Sequence, residues 1–593
     1  MITPQTAGTL YGLFCERVKR TPEAIAYRYF DGVQRQWLAA SWADMARELA
    51  RWQSALADEG LKPGDRVAIM MANGIDWVLF EQAALSLELV VVPLYVNDRA
   101  ESVAYILEDA EVKVLLIQDE EQWQILQEIT PVLAKLVRLL IRKPVATLAL
   151  ANGRDLAQWL PPLGKSLRAV TGDSQALATI VYTSGTTGRP KGVMLSHYNI
   201  LWNAHSSLGC VAITHADLFL SFLPLSHTLE RSIGYYLAMM AGATVAYARS
   251  IPQLGEDLQQ IKPTVLIAVP RIFERVLLKV RAGLADKGGL APQLFDWTVD
   301  VGWHRFNYQQ QRAVWHPKLL LWPLLQPLVA NKIMAKLGGR VRVAVCGGAP
   351  LSTEVAKVFI GLGLPLIQGY GLTESSPVIS VNRLESNDPA SVGAPLRDVE
   401  VKIGEQDELL AKSPGIMLGY WRNEEVTRAI VDAQGWLHTG DKATIREGRI
   451  YITGRLKDII VMANGEKVSP ADMEAAVTKD GLFEQVMVVG EGRPYLTALV
   501  VLQYELQRRL LVELGLKGEP VQLLQHELVK KAVLQRISTC LREFPGYAQI
   551  RRIALLSEPW TIENGLLTPT LKLKRTVICE TYRQEIEGLY RGH

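Results

Sequence analysis

I-V-Y-T-S-G-T-T-G-R-P-K-G-V-M-L-S-H, from Ile180 to His197, is the stretch on which the reading of this chain turns. An apolar run (Leu177, Ile180, Val181, Tyr182) leads in. A second leads out to Ser196, His197, Tyr198 and Asn199, a polar segment suited to starting a helix. The pattern is strand, glycine-rich loop, strand. Gly185 and Gly188 permit positive φ, so that backbone N–H groups can converge on one point as an anion-binding nest. Thr183, Ser184, Thr186 and Thr187 add hydroxyl donors, and Lys191 adds a mobile cation. A polyphosphate is the natural ligand. The spacing G-x-x-G-R-P-K does not fit the Walker loop G-x-x-x-x-G-K-[ST].

A chain of 593 residues is too long for one core, and two or more domains are expected. With 49% apolar and 21% charged residues the composition is that of an ordinary globular protein, and a net charge of +3 gives no reason to expect a nucleic-acid partner. The cysteines (15, 210, 346, 540 and 579) lack C-x-x-C spacing, which argues against a disulfide framework or zinc site and suits a reducing cytoplasm. The opening M-I-T-P-Q-T-A-G-T-L does not read as a signal peptide. No uncharged apolar run approaches the ~20 residues of a membrane span.

Along the chain, helical spacing of Leu10, Leu13, Phe14 and Val18 precedes a strand at Ala24–Phe30. Ser41 is placed to cap a helix carrying Met45, Leu49, Trp52 and Leu56, which Gly60 stops. Strand Arg66–Met71, helix Asp76–Leu87, strand Val90–Tyr95, helix 100–110 and strand Val112–Ile117 follow. Such alternation implies a parallel sheet wrapped by helices. Gly153–Gly172 reads as a connector.

The string Ile180–His197 closely resembles the signature of the adenylate-forming (AMP-binding) superfamily, which contains acyl-CoA synthetases, peptide-synthetase adenylation domains and firefly luciferase. Further segments fit that resemblance in order. In F-L-S-F-L-P-L-S-H-T-L-E-R a strand is expected to deliver His227 at its end, at the junction of acyl group and nucleotide. Val269–Arg275 resembles a family segment that begins a helix. Cys346-Gly347-Gly348-Ala349-Pro350 and Gln368-Gly369-Tyr370-Gly371-Leu372-Thr373-Glu374 read as strand-to-loop transitions matching the adenine pocket. The resemblance implies that Tyr370 stacks on adenine, Thr373 donates to the α-phosphate, and Glu374, with Thr183, binds Mg²⁺. It places Asp441 and Arg455 on the ribose, Lys457 at a hinge, and Gly465 at a hairpin tip lining the channel for CoA. The basic ending T-P-T-L-K-L-K-R resembles a long-chain variant of the family's lysine motif, with Thr-Leu where Ser-Gly is usual. Counting back from Arg575 puts the catalytic lysine at Lys572, with Lys574 as the other candidate.

The implied architecture is α/β. A large N-terminal domain of α/β subdomains plus a small β-rich subdomain (1–454) precedes a small mobile α+β C-terminal domain (455–593). Residues 283–340 carry Trp297, Trp303, Trp315 and Trp322 among Lys and Arg. They read either as a helical insertion packed on the domain or as a surface touching lipid headgroups. An insertion here resembles the long-chain fatty acyl-CoA synthetase branch.

The expected activity is ATP-dependent activation of a long-chain fatty acid to acyl-AMP, then transfer to CoA. Expected catalytic residues are Lys572, Glu374, Thr183, Lys191 and His227. The expected location is cytoplasmic, with peripheral contact on the inner face of a membrane. Acyl-ACP synthetase, fatty acyl-AMP ligase and a non-catalytic acyl-binding protein are the alternatives; retention of Glu374, Asp441, Arg455 and Lys572 together argues against the last.

Overall fold

The computed structural model describes all residues except 146, 147, 149, 184–189, 457, 458, 465, 517, 569, 570, 592 and 593. The alternation read from the sequence builds two sheets. In the first, strands Leu177–Thr183, Val90–Pro93, Arg66–Met70, Val112–Ile117, Arg138–Ile141 and Gly153–Asp155 lie side by side in parallel. Lys191–Ser196 folds back antiparallel on Leu177–Thr183 and carries Gly419–Tyr420 on its far edge. In the second, Ile25–Asp31, Thr244–Tyr247, Leu218–Ser221, Val265–Ala268, Val343–Cys346 and Leu366–Gly371 are parallel neighbours. Antiparallel strands close both of its edges.

Helices between the sheets are apolar nearly all round, as buried helices must be. Ile75–Ser86 buries Trp77 through Ser86 without a break. Others are set by local capping. Ser41 caps Trp42–Ala57 in a reciprocal box with Asp44, and Ser196 caps His197–Leu208 in a box with Asn199, which satisfies orphan donors at each helix start. One core spans both sheets, with Trp42, Trp52 and Trp77 fully buried in it.

A four-stranded antiparallel sheet (Glu400–Ile403, Glu408–Lys412, Leu437–Arg446, Arg449–Arg455) forms the small β-rich unit. Beyond it, the hairpin Ile460–Val461/Lys467–Val468 precedes a three-stranded sheet of Phe483–Val489, Leu496–Leu502 and Ile550–Leu556, with its own core around Val529, Val533 and Ile537.

Several boundaries differ from the sequence reading. The expected connector 153–172 contributes an edge strand, Gly153–Asp155, and a helical turn, Leu156–Trp159. The proposed insertion start at 283 falls inside helix Pro270–Lys287. Strand Leu366–Gly371 continues through Gly369, Tyr370 and Gly371 instead of ending before them, because Val378–Val381 pairs with that stretch.

Candidate active site

The strand–loop–strand motif gives the site its first wall. Thr183 ends one strand, Lys191 begins the next, and the two are paired across the mouth of the loop. Ser184, Gly185, Thr186, Thr187 and Gly188 lie outside the described residues.

Lys191 and Glu374 are joined by Tyr420. The Lys191 Nζ sits 5.6 Å from the centre of the Tyr420 ring, and the Tyr420 hydroxyl donates to Glu374 Oε1 at 2.8 Å. Burial, reinforced by the Glu374 charge, pushes the Tyr420 phenol far up, so that it remains a donor. The loop carrying Tyr420 is fixed in turn by Asn199, whose amide donates to Pro414 and Ile416 carbonyls, and by Met417 N–H donating to the Glu374 carbonyl. Sequence reasoning assigned Tyr420 no role; its partner lies 46 residues away, and no local signal links the two.

A second cluster gathers on Asp441. The Tyr370 hydroxyl donates to Asp441 Oδ2 at 2.6 Å and Arg455 Nε donates to Oδ1 at 2.8 Å. Asp441 is only 4% exposed, so the ion pair holds it in one orientation. Two partners leave a carboxylate with unused lone pairs, enough to accept from a vicinal diol. Gly371 is required beside Tyr370, since a Cβ there would stand 1.8 Å from the Pro377 carbonyl oxygen. Thr373 and Glu374 follow in a 3₁₀ turn, Thr373–Ser375.

Across the sheet, Cys346 ends its strand and Gly347 continues against Leu229 and the Gly369 carbonyl, while Gly348 takes φ +80°. Ala349 and Pro350 lead out of this turn. The Gln368 side chain is committed within the protein. It donates to the Pro389 carbonyl at 2.6 Å and accepts from Leu351 N–H at 3.3 Å, bracing two loops rather than reaching into the cleft.

His227 is not at the end of a strand. Strand Leu218–Ser221 stops six residues earlier, and Pro224 to Ser226 form a turn that places His227 at the start of the helix containing the π-helical stretch Glu230–Tyr236. Its Nδ1 accepts from Leu229 N–H at 3.2 Å, which leaves Nε2 to carry the proton. Burial first, and the positive charge of Lys572 second, push His227 down to about 4. The imidazole is therefore neutral at physiological pH.

That same influence separates the two candidate lysines. Lys572 bears on His227, whereas Lys574 faces Asp98 and Arg99 of the N-terminal part, and burial lowers it. Arg575 is paired with Glu474 of its own unit. Lys457 and Gly465 lie outside the described residues.

Beneath His227 the helix buries charge that sequence reasoning did not single out. Arg231 pairs with Glu81, both essentially inaccessible, and donates to Thr179 Oγ1 at 2.8 Å. Burial raises the neighbouring Glu230 to about 8, and its Oε2 lacks a hydrogen-bond partner. The signal available was the E-R pair in an otherwise apolar helix.

Among the described residues there is no group of three or more His, Cys, Asp or Glu arranged to hold a metal. A lone Glu374, with Oε1 engaged by Tyr420, suits a hard cation that arrives with its own phosphate and water oxygens, as Mg²⁺ does.

Strand ends and loops of the two α/β sheets and the small antiparallel sheet thus present a phenol, carboxylates and a lysine, and strand ends are where open α/β folds bind nucleotides. The family described as AMP-binding enzyme matches residues 14–421, and the AMP-binding enzyme C-terminal domain matches residues 457–593. The chain belongs to the AMP-binding enzyme family. Similar proteins include a long-chain-fatty-acid–CoA ligase of Mycobacterium tuberculosis, 31% identical with 97% of this chain and 96% of that one covered. A peroxisomal long-chain acyl-CoA synthetase of Arabidopsis thaliana is 31% identical, covering 94% and 82%. Among solved structures, the adenylation domain of a carboxylate reductase from Mycobacterium chelonae superposes with a TM-score of 0.76 at 21% identity, covering 98% and 91%. The o-succinylbenzoate CoA synthetase of Bacillus subtilis in complex with AMP gives 0.68 at 20% identity, covering 95% and 97%.

Proposed function

We propose that this protein is a long-chain fatty acid–CoA ligase that forms an acyl-adenylate as intermediate. The observation that best supports the mechanism is the linking of Lys191 and Glu374 through Tyr420, with Asp441 held between Tyr370 and Arg455.

In the first half-reaction a fatty carboxylate oxygen attacks the α-phosphorus of ATP, the bond to the β-phosphate breaks, and pyrophosphate leaves. Repulsion between anions is the barrier, so catalysis is positioning and charge compensation. Lys191 and Lys572 supply cations to the reacting centre. His227, neutral and with its proton on Nε2, donates to an oxygen that gains charge without adding a proton equilibrium of its own. Tyr370 and Asp441 hold the nucleoside, with Arg455 orienting the carboxylate. Glu374 and Thr183 are the residues that would hold Mg²⁺, which supplies charge neutralisation on the phosphates. In the second half-reaction the CoA sulfur attacks the acyl carbon, the mixed anhydride C–O bond breaks, AMP leaves, and the thiol proton passes to solvent. Peripheral contact with a membrane belongs to the same reading, because long acyl chains partition into bilayers.

Pyrophosphate release with ATP, Mg²⁺ and fatty acids of graded length, with and without CoA, tests the proposal. Sustained release only with CoA, greatest for long chains, is expected. A single equivalent of release with CoA inert would assign the acceptor to a carrier protein, and no release with any fatty acid would overturn the reading.

A further inference from the structure

The stretch from Val301 to Thr353 contains no Asp or Glu and seven Lys or Arg, of which Arg312, Lys318 and Arg342 are paired with Asp388, Asp300 and Asp217 from outside it, while Lys332 and Lys336 are exposed. Within it, short helical segments succeed one another from Pro317 to Lys336. Their inner side packs through Trp322, Leu325, Ala330 and Ile333 against helix Ala291–Gln309 and its neighbours. Their outer side is also apolar. Leu320, Leu324 and Leu328 are 71%, 60% and 46% exposed and recur at every fourth position, with Leu321 at 48% beside them and Val314 at 82% in the loop before. The next two positions in the same series are Lys332 and Lys336, both exposed. An outward leucine stripe thus runs directly into a lysine stripe.

We infer that this face docks on an anionic lipid bilayer, with Leu320, Leu324 and Leu328 entering the headgroup–acyl boundary and Lys332 and Lys336 meeting lipid phosphates. Apolar area supplies part of such binding and attraction to anionic lipid the rest. Depth is limited, since no helix among the described residues is long and apolar enough to cross a membrane. A second copy of this chain is the poorer occupant. A two-fold contact through this face would bring two patches of the same positive sign together.

Co-sedimentation of the full chain with phosphatidylcholine vesicles, with and without phosphatidylglycerol, tests the inference. Binding to the anionic vesicles, weakened by salt, is expected. Leu320→Ser/Leu324→Ser/Leu328→Ser is expected to lower partitioning by about tenfold or more, and Lys332→Ala and Lys336→Ala by about fivefold each. Thermal melting and turnover of a short, water-soluble acid, both unchanged, would establish that the variants fold. Equal binding to neutral and anionic vesicles, wild-type partitioning of the triple serine variant, or a dimer that dissociates in that variant would overturn it. Vesicle binding requires no turnover, so an inactive protein that still binds refutes the proposed chemistry and leaves the docking face standing.

Discussion

Tyr420→Phe isolates one atom of the site. The change removes the hydroxyl that donates to Glu374 Oε1 at 2.8 Å and keeps the ring beneath Lys191. A hydrogen bond to a charged acceptor contributes about 1.5–3 kcal/mol net. Tyr420 is 5% exposed, but Glu374 is only half-buried, so water can replace part of the lost interaction and the low end applies. About 1.5 kcal/mol corresponds to roughly a tenfold slower adenylation. The loss should appear in single-turnover pyrophosphate release and as a raised Mg²⁺ requirement, because the freed carboxylate no longer keeps its orientation. Thioester formation from supplied acyl-AMP and CoA should stay near the wild-type rate, and thermal stability should change little. Adenylation within about twofold of wild type at every Mg²⁺ concentration would refute the reasoning, since it would mean that Glu374 needs no positioning by Tyr420.

Lys572→Ala should slow adenylation by about a hundredfold or more while sparing thioester formation from acyl-AMP; Lys574→Ala should act mainly through docking at Asp98, and the reverse ranking would reassign the catalytic lysine. In the same Lys572→Ala variant, loss of the neighbouring charge should let His227 titrate above its value of about 4, a shift readable by NMR. Glu230→Gln should alter the pH dependence of stability. Folded Glu230 keeps its proton up to about 8 whereas the unfolded chain releases it near 4.5, so ionisation opposes folding increasingly as pH rises through that window. The variant should therefore gain on wild type by on the order of 1–3 kcal/mol between those limits, and parallel urea midpoints across that range would exclude the buried carboxyl as the cause.

The alternation of apolar runs and amphipathic segments made the two sheets legible because central strands such as Val90–Pro93 and Val265–Ala268 are buried along their whole length and helices such as Trp42–Ala57 and His197–Leu208 begin at local caps, Ser41 and Ser196. The candidate site could be read from the sequence only where it is built of contiguous residues, as in Tyr370–Glu374. Where it depends on residues that meet in space, it could not. Tyr420 reaches Glu374 from another strand, and Gln368 turned out to brace Leu351 and Pro389. His227 was placed at the end of a strand because Phe219–Leu223 is apolar apart from Ser221, but the strand stops at Ser221, Pro224 turns the chain, and the histidine falls at the start of a helix. In T-L-K-L-K-R, counting back from Arg575 favours Lys572 and leaves Lys574 open. What further distinguishes the two, the charge of Lys572 bearing on His227 and that of Asp98 on Lys574, comes from residues hundreds of positions away.

The double engagement of Asp441 has a thermodynamic corollary. Arg455, which holds Oδ1, is the last residue of its strand and immediately precedes the stretch leading into the C-terminal part, while Tyr370, which holds Oδ2, lies on strand Leu366–Gly371. In the proposed mechanism one carboxylate is therefore shared by the ligand and the joint. If an occupied ribose subsite weakens the Asp441–Arg455 pair by a given free energy, then breaking that pair by turning the joint must strengthen nucleotide binding by the same amount. The order of events would follow from this reciprocity: the nucleotide that weakens the tether is also the one whose release is eased when the tether re-forms.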